Sequence, residues 1–219
     1  FTMYPEAPAA NVFFRTSTLA CMVTTATSTP GRRARLVPVK PEAPPEAVKY
    51  SHPLQLNTGR VRDHWHTLTR TGHSPRLSRH TDEPYVQIHP EDAARFGVDR
   101  DGIARISSRL GELLVKVDID PGQRRGELFV PMHWNTQFAA RAGVGALVPA
   151  RTDPVSGQPE SKTTPVNIAA YRPRWFALLL TREPFNPGPD ATYWAKARGA
   201  ENWRYHVAGE LPPSIWPHR

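Results

Sequence analysis

Between positions 54 and 171 apolar and polar residues alternate in short runs that stop at Gly, Pro or Asp, the two-residue period of half-buried β-strands. Residues 54–58 read as one strand entering a turn at Gly59, and Tyr85–Ile88 as another with Val86 and Ile88 on one face. Pro90 then stands at a first helical position, Glu91 and Asp92 favour a helix N-terminus, and Gly97 predicts the end of a helix only about two turns long. Ile103–Ser107 and residues 113–119 alternate on either side of Arg109, Leu110 and Gly111, the pattern of a hairpin. Glu127–Pro131 follows a turn at Pro121 and Gly122, and residues 165–169 supply a last strand. Many short strands, frequent turns and few helices predict a mainly β fold, with short helices, rolled into a closed or nearly closed barrel.

The flanks are patterned differently. Residues 1–50 contain Pro5, Pro8, Pro30, Pro38, Pro41, Pro44 and Pro45, which break helices and favour extended or turn geometry, so this stretch reads as a Pro-rich connecting segment without a clear periodic element. Residues 51–171 form the patterned domain, and 172–219 an aromatic extension carrying Trp175, Trp194, Trp203 and Trp216. No internal repeat is visible. The chain opens on Phe1, without an initiator Met, and is read as a piece of a longer protein whose preceding part packs against this approach.

Composition narrows the chemistry. With 28 Lys and Arg against 20 Asp and Glu the formal net charge is +8, which favours an anionic partner. A single Cys excludes a disulfide scaffold, a thiolate zinc site or an iron–sulfur cluster built within the segment. That residue, Cys21, has no obvious base beside it and reads as an incidental thiol rather than a nucleophile. The longest apolar run, around 175–180, is far too short to cross a bilayer, so no membrane partner is expected. Gly-rich phosphate loops, a dinucleotide Gly fingerprint and a His-Glu-x-x-His pair are all missing from the sequence.

The densest polar constellation runs from Asn57 through Thr58, Gly59, Arg60, Arg62, Asp63, His64, Trp65, His66 and Thr67 to Arg70, Thr71, Gly72, Arg76 and Arg79. Between 60 and 79 five Arg face one Asp, a stock of donors for phosphate oxygens, although such a loop is also the composition of a solvated face. Gly59, at a strand's end, would let backbone approach a ligand without a Cβ in the way. In an extended segment His64 and His66 would share one face and Trp65 the other, suiting hydrogen bonds to a ligand better than zinc ligation. A second constellation, Pro131-Met132-His133-Trp134-Asn135-Thr136-Gln137-Phe138, follows a predicted strand and either lines a site or, for His133 and Trp134, fills the core. A third, residues 153–162, is a turn-rich loop that offers Lys162 as a cation.

These blocks resemble a known family. Residues 56–72, then Ile88-His89-Pro90-Glu91-Asp92-Ala93, Ile106-Ser107-Ser108-Arg109-Leu110-Gly111-Glu112, Phe129-Val130-Pro131-Met132-His133-Trp134 and residues 152–160 look, in that order, like the C-terminal molybdopterin-dinucleotide-binding domain of assimilatory nitrate reductases. The resemblance covers about 31–171, and the tail is similar to the same enzymes' aromatic extension. It implies a double-psi β-barrel of the formate dehydrogenase and DMSO reductase C-terminal type, closing over molybdopterin guanine dinucleotide, two copies of which hold one molybdenum (Mo-bisMGD). By position it implies Thr58, Gly59, Arg60, His64, His66 and Thr67 as cofactor-lining residues, Arg60 suiting pyrophosphate or pterin oxygens, with His133, Trp134, Ser161 and Lys162 approaching from other loops. Val144-Gly145-Ala146-Leu147 departs from the family, where many relatives carry an Asn, and Leu68 stands where Met is common.

The same resemblance implies that the molybdenum ligand and the 4Fe-4S cysteines lie in the N-terminal domains outside this chain, so the segment holds no catalytic or metal-ligating residue and does not reduce nitrate alone. Its partners are then those N-terminal domains and an electron donor, its whole-enzyme substrate is nitrate, and its expected compartment is the cytoplasm. Two readings compete: the same domain of a formate dehydrogenase-like molybdenum oxidoreductase, and a basic nucleic-acid-binding module. The second is disfavoured because the Arg residues are not spaced along a helix and the aromatics lie mostly in the tail, and no nucleic acid is expected.

Overall fold

The computed structural model describes residues 11–16, 19–24, 35–39, 43–44, 46–154 and 156–210. Two compact units divide the chain, Phe1–Pro45 and Glu46–Arg219. In the first, three antiparallel strands, β1 (Asn11–Thr16), β2 (Leu19–Thr24) and β3 (Arg35–Val39), pair in sequence order. The approach therefore contains regular structure where the prolines suggested only connecting chain. Extended geometry is what the residue before a Pro favours, and Pro38 stands within β3 itself. Pro5, Pro8, Pro30, Pro41, Pro45, the side chain of Cys21 and Trp216 lie outside what is described.

In the second unit, β4 (Leu54–Gly59), β5 (Tyr85–Ile88), β6 (Ile103–Ser107), β7 (Glu112–Ile119), β8 (Glu127–Pro131) and β9 (Thr164–Tyr171) close into a barrel of order β4-β8-β5-β7-β6-β9. β4 with β8 and β5 with β7 run parallel, and the other neighbours are antiparallel. The strand pattern implied this closed, mainly β barrel, and the resemblance implied a barrel of the double-psi type. Alternation explains the inward set: Leu54, Leu56 and Thr58 of β4 are buried while Gln55, Asn57 and Gly59 between them are partly open. Leu128 of β8 pairs with Leu56 on one side and Ile88 on the other, so the parallel and antiparallel seams meet on one buried side chain.

The helix α2 (Pro90–Phe96) follows the short α1 (Pro75–Ser78) and obeys the predicted signals. His89 Nδ1 accepts the Glu91 amide at 3.2 Å, and Gly97 closes the helix at φ 63°, a conformation that favours Gly. Buried Asp92 also accepts the Gly126 amide at 2.6 Å, tying the helix's first turn to the entry of β8. The predicted hairpin joins β6 to β7, and Ser108 N–H donates to Gly111 O at 3.0 Å across its loop.

The aromatic extension is itself a sheet. β10 (Trp175–Thr181), β11 (Tyr193–Arg198) and β12 (Trp203–Gly209) are antiparallel in the order β10-β12-β11. Tyr193, Ala195 and Ala208 pack with Leu114, Trp134 and Phe138 in a second core against the outside of the barrel. No described helix is long and apolar enough to cross a membrane.

Replacing Leu128 by Ala removes the residue shared by both seams and should lower unfolding stability by about 3 kcal/mol. Denaturant melts would show this as a lower midpoint at unchanged slope. A loss under about 1 kcal/mol would contradict the central place given to Leu128.

Candidate functional site: a histidine-clipped basic loop

The Arg-rich loop leaves β4 at Gly59 and is tied down at once by the strand on the parallel seam. Met132 N–H donates to Gly59 O at 2.9 Å. The next residue of that segment, His133, is fully buried, and its ring bridges the loop. Val61 N–H donates to Nε2 at 2.9 Å, and Nδ1 lies 2.5 Å from His66 O. A backbone amide can only donate and a carbonyl can only accept, so the ring must be neutral with its proton on Nδ1. Burial pushes the His133 pKa down from its ordinary 6.5 and outweighs the pull of the His66 carbonyl. Nearby Arg60, His64 and His66 push in the same downward direction.

His64 holds the loop from the other side with the opposite tautomer. Its Nε2–H donates to Thr81 O at 2.9 Å, and Nδ1 accepts from the Thr71 hydroxyl at 3.3 Å. Thr71 Oγ1 in turn accepts the Trp65 amide at 3.2 Å. Burial lowers the His64 pKa as well. The two imidazoles lie 5.6 Å apart, centroid to centroid, and Trp134 meets His64 edge-on at 5.4 Å. Asn135 Nδ2 reaches Thr67 O at 3.3 Å, adding a third tie.

Held this way, the loop turns rather than extends. His66 and Leu68 adopt φ of 42° and 65°, left-handed values that cost a β-carbon-bearing residue about 1 kcal/mol or more each. Leu68 is buried in the second core, whereas Trp65 and His66 are exposed with their rings 4.3 Å apart. The expected shared face of His64 and His66 is thus corrected: the left-handed His66 turns its ring to solvent while His64 stays inside. The reading of Gly59 also changes. A Cβ there would lie 2.7 Å from Phe129 Cε2, so any larger residue would have to displace that ring, and packing alone already favours Gly at this position.

Around the end of β4 the remaining predicted residues converge. Thr58 is buried and its hydroxyl donates to Ser161 O at 2.9 Å, while Lys162 Nζ donates to Thr58 O. All ten residues singled out from sequence therefore belong to one contiguous region, but in two kinds. Thr58, His64, His133 and Trp134 are buried, Gly59 is partly open beside them, and both ring nitrogens of each buried histidine are committed to the chain itself. Arg60, His66, Thr67 and Lys162 are exposed, and Ser161 is half-buried.

The loop's electrostatics follow the same division. Arg62 is neutralised by Asp63, whose carboxyl is held near pKa 2 chiefly by its hydrogen bond to Arg62, which outweighs desolvation, with further help from His80. Among the described residues Arg60, Arg70, Arg76 and Arg79 form no ion pair. That surplus of guanidinium suits an anionic ligand with several acceptor oxygens. Asn57 Oδ1, one residue before Thr58, is buried without a partner, as are the Thr163 and Thr164 hydroxyls following Lys162.

Sequence reading missed the residues that support this loop from behind. Thr81, Asp82 and Glu83 sit between α1 and β5, where nothing in Thr-Asp-Glu-Pro distinguishes a buried carboxylate from a surface turn. Asp82, Glu83 and His206 bring ligand atoms within 4.8 Å of one another, but Lys116 Nζ stands 3.5 Å from Glu83 and Arg204 3.4 Å from Asp82. Positive charge is already supplied there by side chains.

Residues 54–165 match the molydopterin dinucleotide binding domain family. The chain is 44% identical over 184 residues to a nitrate reductase of Klebsiella oxytoca, a match covering 84% of this chain and 21% of that protein. It is 31% identical over 137 residues to a nitrate reductase of Shewanella frigidimarina, covering 54% of this chain and 15% of the relative. A formate dehydrogenase alpha subunit of Methanococcus maripaludis is 32% identical over 125 residues, covering 57% and 18%. The chain therefore spans about a fifth or less of the length of these relatives. Among solved structures, acetylene hydratase from Pelobacter acetylenicus aligns with a TM-score of 0.45 at 18% identity, over 55% of this chain and 18% of that one.

The buried imidazoles set a pH dependence with a definite sign. Above the unfolded value of 6.5 both states carry neutral rings. As pH falls through 6.5 the unfolded chain takes up protons that folded His64 and His133 refuse, so stability declines until the folded rings also protonate. His133→Gln keeps a donor and an acceptor but cannot titrate, and should make the fall in denaturation midpoint between about pH 7 and 5 shallower. An unchanged slope would contradict a buried neutral His133.

Proposed function

The chain belongs to the molydopterin dinucleotide-binding domain family, and from that premise we propose that it is the cofactor-binding part of a molybdenum nitrate reductase serving nitrate assimilation. The observation that carries nitrate over other substrates is the 44% identity across 84% of the chain to a nitrate reductase. The formate dehydrogenase relative, at 32% identity over 57% of the chain, supports the same domain in a formate-oxidising enzyme as the second reading.

The donor set fits a nucleotide-tailed pterin in its guanine dinucleotide form. Arg60, exposed and without an ion pair, would offer a diphosphate a two-pronged contact. His66, Thr67, Ser161 and Lys162 present further donors around the end of β4. Thr58, Gly59, His64, His133 and Trp134 act behind them by fixing the backbone on which Arg60 and His66 ride. When bound, two such dinucleotides would hold the molybdenum and supply two-electron redox chemistry for nitrate. The barrel's own share is to bind and orient, and to keep water from the seams it covers.

The metal ligand and a 4Fe-4S cluster belong to N-terminal domains of the parent enzyme, so this segment by itself leaves nitrate untouched. A donor protein or domain delivers electrons to the parent enzyme in the cytoplasm. Purified parent enzyme assayed with nitrate and with formate separates the two readings: reduction of nitrate with no oxidation of formate is expected, and the reverse would replace the first reading by the second.

Arg60→Ala in the parent enzyme should weaken retention of the pterin about tenfold, measured as molybdenum and pterin content after desalting, with Arg60→Lys in between. Full retention in the Ala variant would contradict the role given to this guanidinium.

A further inference from the structure

The C-terminal sheet lies outside the family match at 54–165, and its aromatic residues take no part in the site described above. Two sets of contacts nevertheless connect it to the basic loop. In the first, the hydroxyl of fully buried Tyr193 on β11 donates to Glu83 Oε2 at 2.8 Å. His206 of β12 stands 3.4 Å from both Glu83 and Asp82, and Arg204 3.4 Å from Asp82. These two carboxylates directly follow Thr81, the residue whose carbonyl holds His64. In the second, β11 extends its backbone pairing to the segment after His133: Lys196 N–H donates to Phe138 O and Ala140 N–H to Trp194 O, both at 2.8 Å. That segment carries His133 and Asn135, the other two ties on the loop.

We propose that the C-terminal sheet is a brace that fixes the position of the Arg60–Thr67 loop, with Tyr193 acting through Glu83 as its buried positioning residue. Both routes end on the same eight residues, from opposite sides of the His64–His133 pair. Burial and the charge of Glu83 push the Tyr193 phenol well above its ordinary value of 10, so it remains a donor to the carboxylate. Glu83 is 7% exposed, and its other neighbours, Lys116 and His206, lie at 3.5 and 3.4 Å, longer than a strong hydrogen bond. The Tyr193 hydroxyl is therefore the short contact that fixes the carboxylate. Phe138 gives the brace a hard stop: a Cβ on Gly72 would lie 2.6 Å from its ring, so the turn after Leu68 fits flush against the residue that β11 grips.

The positioning claim rests on contacts within this chain, and only its consequence for the cofactor rests on the function proposed above. Tyr193→Phe in the parent enzyme removes one hydroxyl without changing the ring, and Leu178→Ala on the exposed face of β10 serves as the control. Hydrogen exchange would be followed in a peptide spanning 60–68 and in one spanning barrel residues 164–169, which touch neither Tyr193 nor Glu83, together with pterin content. Tyr193→Phe should speed exchange in 60–68 about tenfold and leave 164–169 and the control variant unchanged. Unaltered exchange in 60–68 would overturn the brace, and so would equal acceleration in both peptides, which would mean general loosening. Faster exchange in 60–68 with pterin retention intact would leave the brace standing and instead count against the cofactor role of the loop.

Discussion

One buried imidazole with a fixed proton organises the site. His133 has no solvent to share its nitrogens with, so each must find a partner inside, and the partners are a backbone amide and a backbone carbonyl of the same loop. Such a bridge is directional: a protonated ring, or the other tautomer, would set a donor against a donor or an acceptor against an acceptor. The loop can therefore hold two non-glycine residues at positive φ, because relaxing either one would leave buried polar groups unpaired.

From that bridge follows the division of labour on the surface. Interior groups define where the backbone runs, and the exposed guanidinium, imidazole and ammonium groups are displayed from it. The arrangement suits a ligand too large to be enclosed by one small barrel, because affinity then comes from many donors held in register rather than from a closed pocket. Cationic residues without ion pairs raise the local anion concentration, and pairing among Arg62, Asp63 and His80 reduces the excess there. The barrel contributes geometry and charge, and any redox chemistry is left to the group it would hold.

The barrel was legible because its strands obey the two-residue period and its helix carries both a Pro start and a Gly stop. Leu54, Leu56 and Thr58 alternate cleanly, and Gly97 is left-handed at the predicted helix end. The C-terminal sheet was less legible. Phe176-Ala177-Leu178-Leu179-Leu180 is apolar on both faces, since β10 has its inner side on a third core while Phe176, Leu178 and Leu180 are exposed, so no alternation marks it as a strand. At the site, residue types were readable and roles were not. The partners of His133 and His64 were not legible, because three of the four are backbone atoms and the fourth is the Thr71 hydroxyl, which no local pattern encodes. Glu83 gave no signal, since its burial depends on Tyr193, 110 residues later in the chain.

The tautomeric state of His133 is the most direct test of this account. In protein carrying 15N-labelled histidine, assigned by comparison with His133→Gln, the two ring nitrogens should report a neutral imidazole near pH 7.5, with the proton on Nδ1 and none on Nε2. Finding the proton on Nε2, or on both nitrogens, would be incompatible with a ring that accepts the Val61 amide and donates to the His66 carbonyl, and the loop would then need a different anchor.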